Sequence, residues 1–276
     1  KKEYPRKRGE RPMLELKNIR KTFNAGTVTE KKAICGLNVT LHDGDFVTVI
    51  GGNGAGKSTM LNLIAGVYSV DEGSILLDGV DLTTQPEYKR ARFLGRVFQD
   101  PMMGTAGSMG IEENLAMAYR RGKRRGLSWG ITNEERALYR EKLSMLGLGL
   151  EDRLTSKVRL LSGGQRQAVT LLMATLQNPK LLLLDEHTAA LDPKTAHKVL
   201  SITEKIVSEN RLTKLMVTHN MKDAIRYGNR LIMMHEGKII YDVSGDEKKQ
   251  LQVADLLKKF EQASNGEFAN DRMLLS

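Results

Sequence analysis

The fold is decided by one stretch of the chain, Phe46-Val47-Thr48-Val49-Ile50-Gly51-Gly52-Asn53-Gly54-Ala55-Gly56-Lys57-Ser58-Thr59. Its first five residues predict a buried strand, and a helical pattern runs from Thr59 to Gly66. The glycines between them let backbone N–H groups converge on phosphate oxygens at the positive end of the helix dipole. The stretch therefore predicts a phosphate-binding loop, in which Lys57 reaches the terminal phosphates and Ser58 ligates Mg²⁺.

A second piece of the same chemistry lies at residues 181–186. Four leucines, 181–184, predict a buried parallel strand that ends in Asp185 and Glu186. At a phosphate site we expect Asp185 to hold the metal through its water shell, and Glu186 to polarise the water that attacks the γ-phosphate. Two exposed acids at a strand end would be the alternative interpretation.

Short apolar runs alternate with helical patterns along the chain, which predicts an α/β domain with a largely parallel sheet. Strand character is strongest at 13–16, 46–50, 75–77, 94–98, 181–184, 215–218 and 231–234. Between about 100 and 178 it gives way to helical patterns such as 134–146 and 165–177, so a helical insertion is expected there. Residues 231–243 are expected to form two strands around a turn at 236–238, with helix after them.

A second helix start suited to anions is predicted at Leu161-Ser162-Gly163-Gly164-Gln165. Ser162 is a good N-cap residue, the two glycines allow close backbone approach, and a helical pattern begins at Gln165. A phosphate loop together with an acidic strand indicates only a nucleoside triphosphatase. This second motif indicates which class of nucleoside triphosphatase the chain resembles.

Leu-Ser-Gly-Gly-Gln resembles the signature motif of the ATP-binding cassette (ABC) ATPases, and the resemblance covers about residues 13–243. It implies a P-loop NTPase with the ABC-ATPase fold: a RecA-like core, an antiparallel β-subdomain and a helical insertion subdomain at about 100–178. A basic extension would precede it at 1–12, and a helical tail would follow at 244–276. The resemblance also implies a head-to-tail dimer, in which the signature closes over the ATP of a second copy.

The resemblance assigns roles residue by residue. Phe23 would stack on adenine unless it is a core residue, and Asp192, in Ala190-Leu191-Asp192, would lie in the loop between the two sites of the dimer. Locally, Asp192-Pro193 is also a good helix start. His187 matches no role. The implied catalytic residues are Glu186, His219, Gln99 and Lys57; the metal ligands are Ser58, Gln99 and Asp185; the nucleotide-binding residues are Phe23, Gly51, Gly52, Asn53, Gly54, Ala55, Gly56, Lys57, Ser58, Thr59, Ser162, Gly163, Gly164, Gln165 and Asp192.

Composition bounds the setting of the protein. The chain has 276 residues, a single cysteine, Cys35, and a formal net charge of +10. No intramolecular disulfide can form, and the longest apolar runs are shorter than the roughly 20 residues that cross a bilayer. The charge suits an anionic partner, either nucleic acid or lipid headgroups. Part of it lies in a basic run of Arg120, Arg121, Lys123, Arg124 and Arg125, whose alternative interpretation is a solvated loop.

The function we expect is the ATP-binding and ATP-hydrolysing subunit of a membrane transporter, peripheral on the cytoplasmic face of the membrane. Its partners would be separate transmembrane permease subunits, a solute-binding protein outside the membrane and the anionic membrane surface, with no nucleic acid. Uptake of an amino acid or a related small solute is preferred. An exporter motor and a soluble ABC ATPase acting on nucleic acid or ribosomes are the alternatives. An inactive regulatory cassette is disfavoured because the implied catalytic and metal-binding residues are intact. These are Lys57, Ser58, Asp185, Glu186 and His219.

Overall fold

The structure is a computed structural model that describes residues 12–123, 130–189, 191–210 and 212–263, with the backbone alone for 206–210. Several of the expectations above lie outside the described residues. They concern the basic extension up to residue 11, Arg124, Arg125, Ala190 and the part of the helical tail after residue 263.

The described residues form ten strands and nine helices, with short 3-10 turns at Pro101–Gly104 and Val158–Leu160. The strands are β1 (Leu14–Phe23), β2 (Lys31–Leu41), β3 (Phe46–Gly51), β4 (Glu72–Leu77), β5 (Val80–Asp81), β6 (Leu94–Val97), β7 (Leu181–Asp185), β8 (Thr213–Val217), β9 (Arg230–His235) and β10 (Lys238–Ser244). The helices are α1 (Lys57–Ala65), α2 (Glu87–Arg90), α3 (Ile111–Tyr119), α4 (Asn133–Ser144), α5 (Gly163–Thr175), α6 (Pro193–Asn210), α7 (Met221–Arg226), α8 (Gly245–Lys249) and α9 (Val253–Ala263).

The chain divides into two compact units. The first unit takes the described residues up to 86 and those from 221 onward. It holds an antiparallel sheet in the strand order β2-β1-β4-β5. Leu14 faces Leu41 on one side and Leu77 on the other, and all three are buried. This sheet is the antiparallel part that the family resemblance implied.

The first unit also contains the strand before the phosphate loop. β3 pairs in parallel with β9, and β10 pairs antiparallel with β9. The far end of the chain completes this packing, because Leu256 and Phe260 of α9 are buried in a core with Ile50 and Met233. Lys248 in α8 donates from Nζ to the carbonyls of Ile225, Tyr227 and Gly228 at 2.6 to 3.0 Å, which satisfies the carboxyl end of α7.

The second unit, residues 87–220, contains three parallel strands in the order β6-β7-β8. Leu181, Leu182, Leu183 and Leu184 of the central strand are fully buried, as a strand covered on both faces requires. Between β6 and β7 the described residues form α3, α4 and α5. Thr132 and Ser162 cap α4 and α5, each with a reciprocal bond from the third helical residue.

The strand predictions at 46–50, 94–98 and 181–184 agree with β3, β6 and β7 to within one residue. The two longest strand segments missed by the apolar pattern lie in β1 and β2. β1 continues beyond residue 16 to Phe23, and β2 was not predicted although it has 11 residues. In both, polar residues interrupt the alternation, and pairing with β1 keeps β2 extended.

Among the residues that the structure describes, no helix combines the length and the hydropathy needed to cross a bilayer.

Candidate active site

The phosphate loop, residues 51–58, joins the end of β3 to the first turn of α1. Gly54 and Gly56 have φ of +77° and +99°, in the left-handed region that favours glycine. Gly56 is the N-cap of α1 and provides no side-chain cap, so the first N–H groups of the helix face the loop without a side-chain acceptor from that position. The N-terminus of α1 therefore has the geometry of an anion site.

Lys57 brings positive charge into the loop itself. The residue is only 7% exposed, and its Nζ donates to the carbonyls of Gly51 at 2.7 Å and Gly52 at 3.1 Å. An ammonium group held along the inner edge of the loop lies close to where phosphate oxygens would bind. Around it, Asn53, Gly54 and Ser58 are exposed and Thr59 is half-buried.

Distant parts of the chain support the loop from behind. A Cβ on Gly51 would lie 2.4 Å from the Met234 carbonyl oxygen, and one on Gly56 would lie 2.7 Å from that of Ala33. Gly237, in the turn between β9 and β10, donates its N–H to Ala55 O at 3.0 Å. These close backbone approaches hold the loop in one conformation and leave no room for larger side chains at Gly51 and Gly56.

Phe23, the expected adenine platform, lies half-buried at the end of β1. Tyr68 packs edge-on against its ring, with centroids 5.2 Å apart. The strand end is fixed by Asp71, which accepts from Lys21 Nζ at 2.7 Å and from Thr22 N at 2.6 Å. The bond from Lys21 lowers the pKa of the Asp71 carboxyl. Tyr68 and Asp71 were missed by sequence reasoning because neither belongs to a motif.

In the second unit, the end of β7 brings two predicted catalytic residues together. Asp185 is the last residue of β7, and Glu186 follows it with φ of +42°. Glu186 N donates to Val217 O at 3.0 Å, which ties the turn to the end of β8. Its Oε2 lies 3.6 Å from Nδ1 of His219. The predicted water-polarising carboxylate and the predicted histidine thus lie side by side.

Asp185 has a basic neighbour that the sequence did not reveal. Nη2 of Arg96, from the adjacent strand β6, lies 3.9 Å from Oδ2 of Asp185. The Arg96 guanidinium also lies over the ring of Phe98, 4.4 Å from its centroid. Because both Arg96 and Asp185 are largely buried, the arginine partly balances the carboxylate charge at this strand end.

The signature residues form the first turn of α5. Ser162 Oγ accepts from Gln165 N at 3.3 Å, and Gln165 Oε1 accepts from Ser162 N at 3.2 Å. This reciprocal capping box confirms the predicted helix start.

The two signature glycines lie against the loop that carries Asp192. A Cβ on Gly163 would lie 3.3 Å from Leu191 Cδ2, and one on Gly164 would lie 2.1 Å from Thr195 Cγ2. Asp192 caps the start of α6, accepting from Thr195 N at 3.1 Å. The hydrogen bond from the Thr195 side chain, together with this backbone bond, lowers the pKa of the Asp192 carboxyl. The structure therefore brings the signature and the Asp192 loop into one contiguous surface.

Gln99 lies exposed just after β6, in the segment that α5 holds in place. Gln167, two residues beyond the signature, donates from Nε2 to the carbonyl of Phe98 at 3.3 Å. The residue before Gln99 is thus anchored to the signature helix. Gln167 had no predicted role, although it lies only two residues after the signature.

His187 has a structural explanation. It is 2% exposed, and its Nε2 lies 3.4 Å from Thr203 Oγ1 on α6. Burial lowers the pKa of His187 to about 4, so the ring is neutral near pH 7. Thr203 donates its own hydroxyl to Val199 O at 2.8 Å and can therefore accept from the histidine.

The described part of the basic run makes internal contacts. Arg120 donates to both carboxylate oxygens of Glu135, at 3.2 and 2.6 Å. Burial lowers the pKa of the Arg121 guanidinium, and Lys123 Nζ lies 3.8 Å from the centre of the Tyr119 ring. Arg120 and Lys123 therefore have partners within the protein.

In the described segments, no group of three or more His, Cys, Asp or Glu side chains could hold a metal ion. Mg²⁺ commonly keeps several waters and binds through one or two carboxylates and the phosphates of a nucleotide. A hydroxyl on the first turn of α1 and a carboxylate at the end of a parallel strand are oxygen donors of the type it prefers, so Ser58 and Asp185 fit this ion chemically.

A glycine loop with an inward lysine, an acidic strand end beside a histidine, and a second capped helix start define a P-loop nucleoside triphosphatase. Residues 34–189 match the family model described as ABC transporter. The chain belongs to the ABC transporter family, as an ATP-binding subunit with ATPase chemistry, and its fold is that of the ABC ATPases. The resemblance of the signature motif is thereby confirmed.

Three similar proteins are informative. The chain is 46% identical over 251 residues to a tyrosine transport ATP-binding protein of Clostridioides difficile (strain R20291), covering 91% of this chain and all of that one. It is 32% identical to the energy-coupling factor transporter ATP-binding protein EcfA2 of Clostridium acetobutylicum, covering 89% and 84%. It is 35% identical to the spermidine/putrescine import ATP-binding protein PotA of Haemophilus influenzae, covering 86% of this chain and 59% of that one.

Solved structures agree with these relatives. A dimeric, post-hydrolysis ATP-binding cassette with bound ADP and Pi superposes with a TM-score of 0.71 at 32% identity, covering 84% of this chain and 98% of that one. A nucleotide-free ATP-binding cassette from an ABC transporter has a TM-score of 0.74 at 26% identity, covering 91% and 99%.

Proposed function

We propose that this chain powers the uptake of an amino acid, with tyrosine as the first candidate, by an ABC importer. The tyrosine transport relative supports this cargo, because the similarity extends over that protein's whole length. The polyamine relative supports import as the direction, although the chain spans only 59% of it. Export and a soluble role on nucleic acid or ribosomes have no comparable support among these relatives.

The observation that carries the ATPase mechanism is the pairing of Glu186 with His219. With the two groups 3.6 Å apart, a water near the γ-phosphate could be polarised by the carboxylate while the imidazole hydrogen-bonds a phosphate oxygen. Lys57 would neutralise the developing charge on the phosphates, and Phe23 would stack on the base. Gln99 would contact the water or the metal.

Mg²⁺ is part of the proposal. When bound, it would screen the charge of the β- and γ-phosphates and make the γ-phosphorus easier to attack. Ser58, Asp185 and Gln99 are the residues that would hold it. These side chains would supply oxygen ligands to the ion and fix the direction from which water approaches the γ-phosphate.

The signature residues are proposed to act on a second copy. Ser162, Gly163, Gly164 and Gln165 would close over the ATP of a partner chain in a head-to-tail dimer, with Asp192 between the two sites. The dimeric state of one solved cassette supports this arrangement. The proposal also includes separate permease subunits in the membrane and a solute-binding protein. The chain would attach at the cytoplasmic face, where the anionic membrane surface is a further contact.

The test is transport by the reconstituted complex. The chain and its permease subunits are placed in lipid vesicles with the solute-binding protein, and ATP-dependent uptake of labelled tyrosine is compared with that of leucine and spermidine. We expect saturable tyrosine uptake that is lost in Glu186→Gln. Uptake of spermidine alone, or outward movement of tyrosine, would overturn the cargo or the direction.

A further inference from the structure

Lys31 lies at the first position of β2, directly across from Phe23. The two residues are partners in the antiparallel register of β1 and β2. Residues directly opposite in an antiparallel pair have their side chains on the same face of the sheet, with Cβ atoms about 5 Å apart. Lys31 therefore emerges on the face that carries the proposed adenine platform.

The ammonium of Lys31 reaches the phosphate loop. Its Nζ lies 3.4 Å from the position that a Cβ on Gly54 would take. Gly54 is exposed, and it lies in the half of the loop that precedes Lys57. One lysine thus spans from the strand opposite Phe23 to the phosphate loop.

The backbone on either side of Lys31 is firmly held, which fixes the point from which its side chain emerges. The β1–β2 turn is closed by Glu30, whose Oε2 accepts from Gly26 N at 2.8 Å. Two residues beyond Lys31, the Ala33 carbonyl oxygen lies 2.7 Å from a Cβ position on Gly56, and Cys35 N donates to Gly237 O at 3.0 Å. The start of β2 and the phosphate loop therefore share one scaffold.

We propose that Lys31 is a nucleotide-binding residue whose ammonium contacts the phosphates of the bound nucleoside di- or triphosphate on the side nearer the ribose. The inference rests on the proposed stacking of adenine on Phe23. It adds a contact from Lys31 to the part of the nucleotide that lies between the base and the phosphates bound by Lys57. An anion bound by the loop between these groups would meet Lys57 from inside the loop and Lys31 from above Gly54. A lysine suits this role because its flexible stem can follow the phosphates.

The experiment compares Lys31→Met with Lys32→Met. Lys32 is the matched control, because it is the next residue on the same strand and also exposed, but its side chain points to the other face. Equilibrium binding of ATP, ADP and adenosine is measured for both variants and for the natural chain, at low and at high salt. Steady-state ATPase of the complex with the permease is measured alongside.

For Lys31→Met we expect a loss of about threefold to tenfold in affinity for both ATP and ADP, as for one partly exposed charge contact. Adenosine binding should stay unchanged, the salt dependence of ATP binding should weaken, and KM should rise more than kcat falls. Lys31→Arg should recover most of the loss.

Unchanged ATP affinity in Lys31→Met, or an equal loss in Lys32→Met, would overturn the inference while leaving the proposed function in place. Failure of the natural chain to bind ATP would instead reject the proposed nucleotide site. Equal losses for ATP and adenosine would show that Lys31 acts on the fold of the β1–β2 turn, which also contradicts a phosphate contact.

Discussion

The two helix starts that the sequence marked as anion sites are built differently. The N-cap of α1 is Gly56, which has a left-handed backbone and no side chain to cap the helix. The N-cap of α5 is Ser162, whose hydroxyl and backbone N–H are both bonded to Gln165. The first helix start receives no side-chain cap from its N-cap residue, whereas the second is capped by the side chains of Ser162 and Gln165.

This difference separates two tasks. The phosphate loop has an inward lysine and a fixed glycine backbone, and its proposed task is to bind phosphates within one chain. The signature turn is already capped, and a ligand there competes with the Ser162–Gln165 bonds. Changes in the phosphate loop should therefore act on nucleotide binding, and changes in the signature turn or at Glu186 should act on turnover.

The largest effect is expected from Glu186→Gln. Removing the carboxylate beside His219 should lower turnover by about two to four orders of magnitude, because the water loses its general base. ATP binding should be preserved. ATPase of the permease-bound complex and equilibrium ATP binding are the measurements, with Glu141→Gln, an exposed acid on α4, as control. Near-normal turnover would contradict the role of Glu186.

A smaller effect, on nucleotide binding and not on turnover, is expected from Lys57→Met. Loss of the ammonium inside the loop should weaken ATP binding by about tenfold to a hundredfold, in line with the loss of a charge-assisted contact. Lys238→Met, an exposed lysine of the same unit, is the control. Equilibrium titration with ATP measures the affinity. A fall in kcat with unchanged affinity would contradict the view that the first helix start acts on binding and the second on turnover.

Gly164→Ala tests whether the signature turn depends on close packing. The new Cβ would meet Thr195 Cγ2, so we expect a loss of about 1–3 kcal/mol in unfolding free energy, as for other overpacked sites. Adding Thr195→Ser removes the clashing Cγ2 methyl group but keeps the hydroxyl that hydrogen-bonds Asp192, so it should restore most of the lost stability. Thermal and denaturant unfolding of the single and double variants is the measurement. Absence of recovery in the double variant would place the strain elsewhere.

The smallest effect on stability is expected from Ser162→Ala, which removes the cap of α5 at a cost of about 1 kcal/mol. Thr132→Ala is its matched control, because Thr132 caps α4 through the same reciprocal bonds with Glu135. Both variants should lose similar stability in denaturant unfolding. Only Ser162→Ala should also lower ATPase of the complex, and equal ATPase in both would deny the signature turn a role in turnover.

Local sequence was sufficient to predict the helices and strands that carry motifs. β3, β7 and the starts of α1 and α5 follow from apolar runs, glycines and a cap residue, all of which act within a few positions. β2 was missed because its pattern is broken by Lys32, Gly36 and Asn38 and its extended form depends on β1.

The site was predictable only in part, for the same reason. The 3.6 Å approach of Glu186 to His219 is created by two neighbouring strand ends, β7 and β8, whose pairing no local pattern reports. The contacts of Arg96 with Asp185, of Gln167 with Phe98 and of His187 with Thr203 likewise join residues far apart in sequence. Such contacts follow from tertiary packing and become visible only when the chain is folded.

The support behind the phosphate loop also bears on how the protein is made. Gly237 donates its N–H to Ala55 O and accepts from Cys35 N, so a turn near the far end of the chain lies between two early segments. A ribosome delivers that turn only after all of the second unit has emerged. We therefore expect a nascent chain that stops short of β9 to carry the complete glycine motif and yet to bind nucleotide poorly. Until the turn between β9 and β10 has been synthesised, the phosphate loop lacks the backbone support that Gly237 provides.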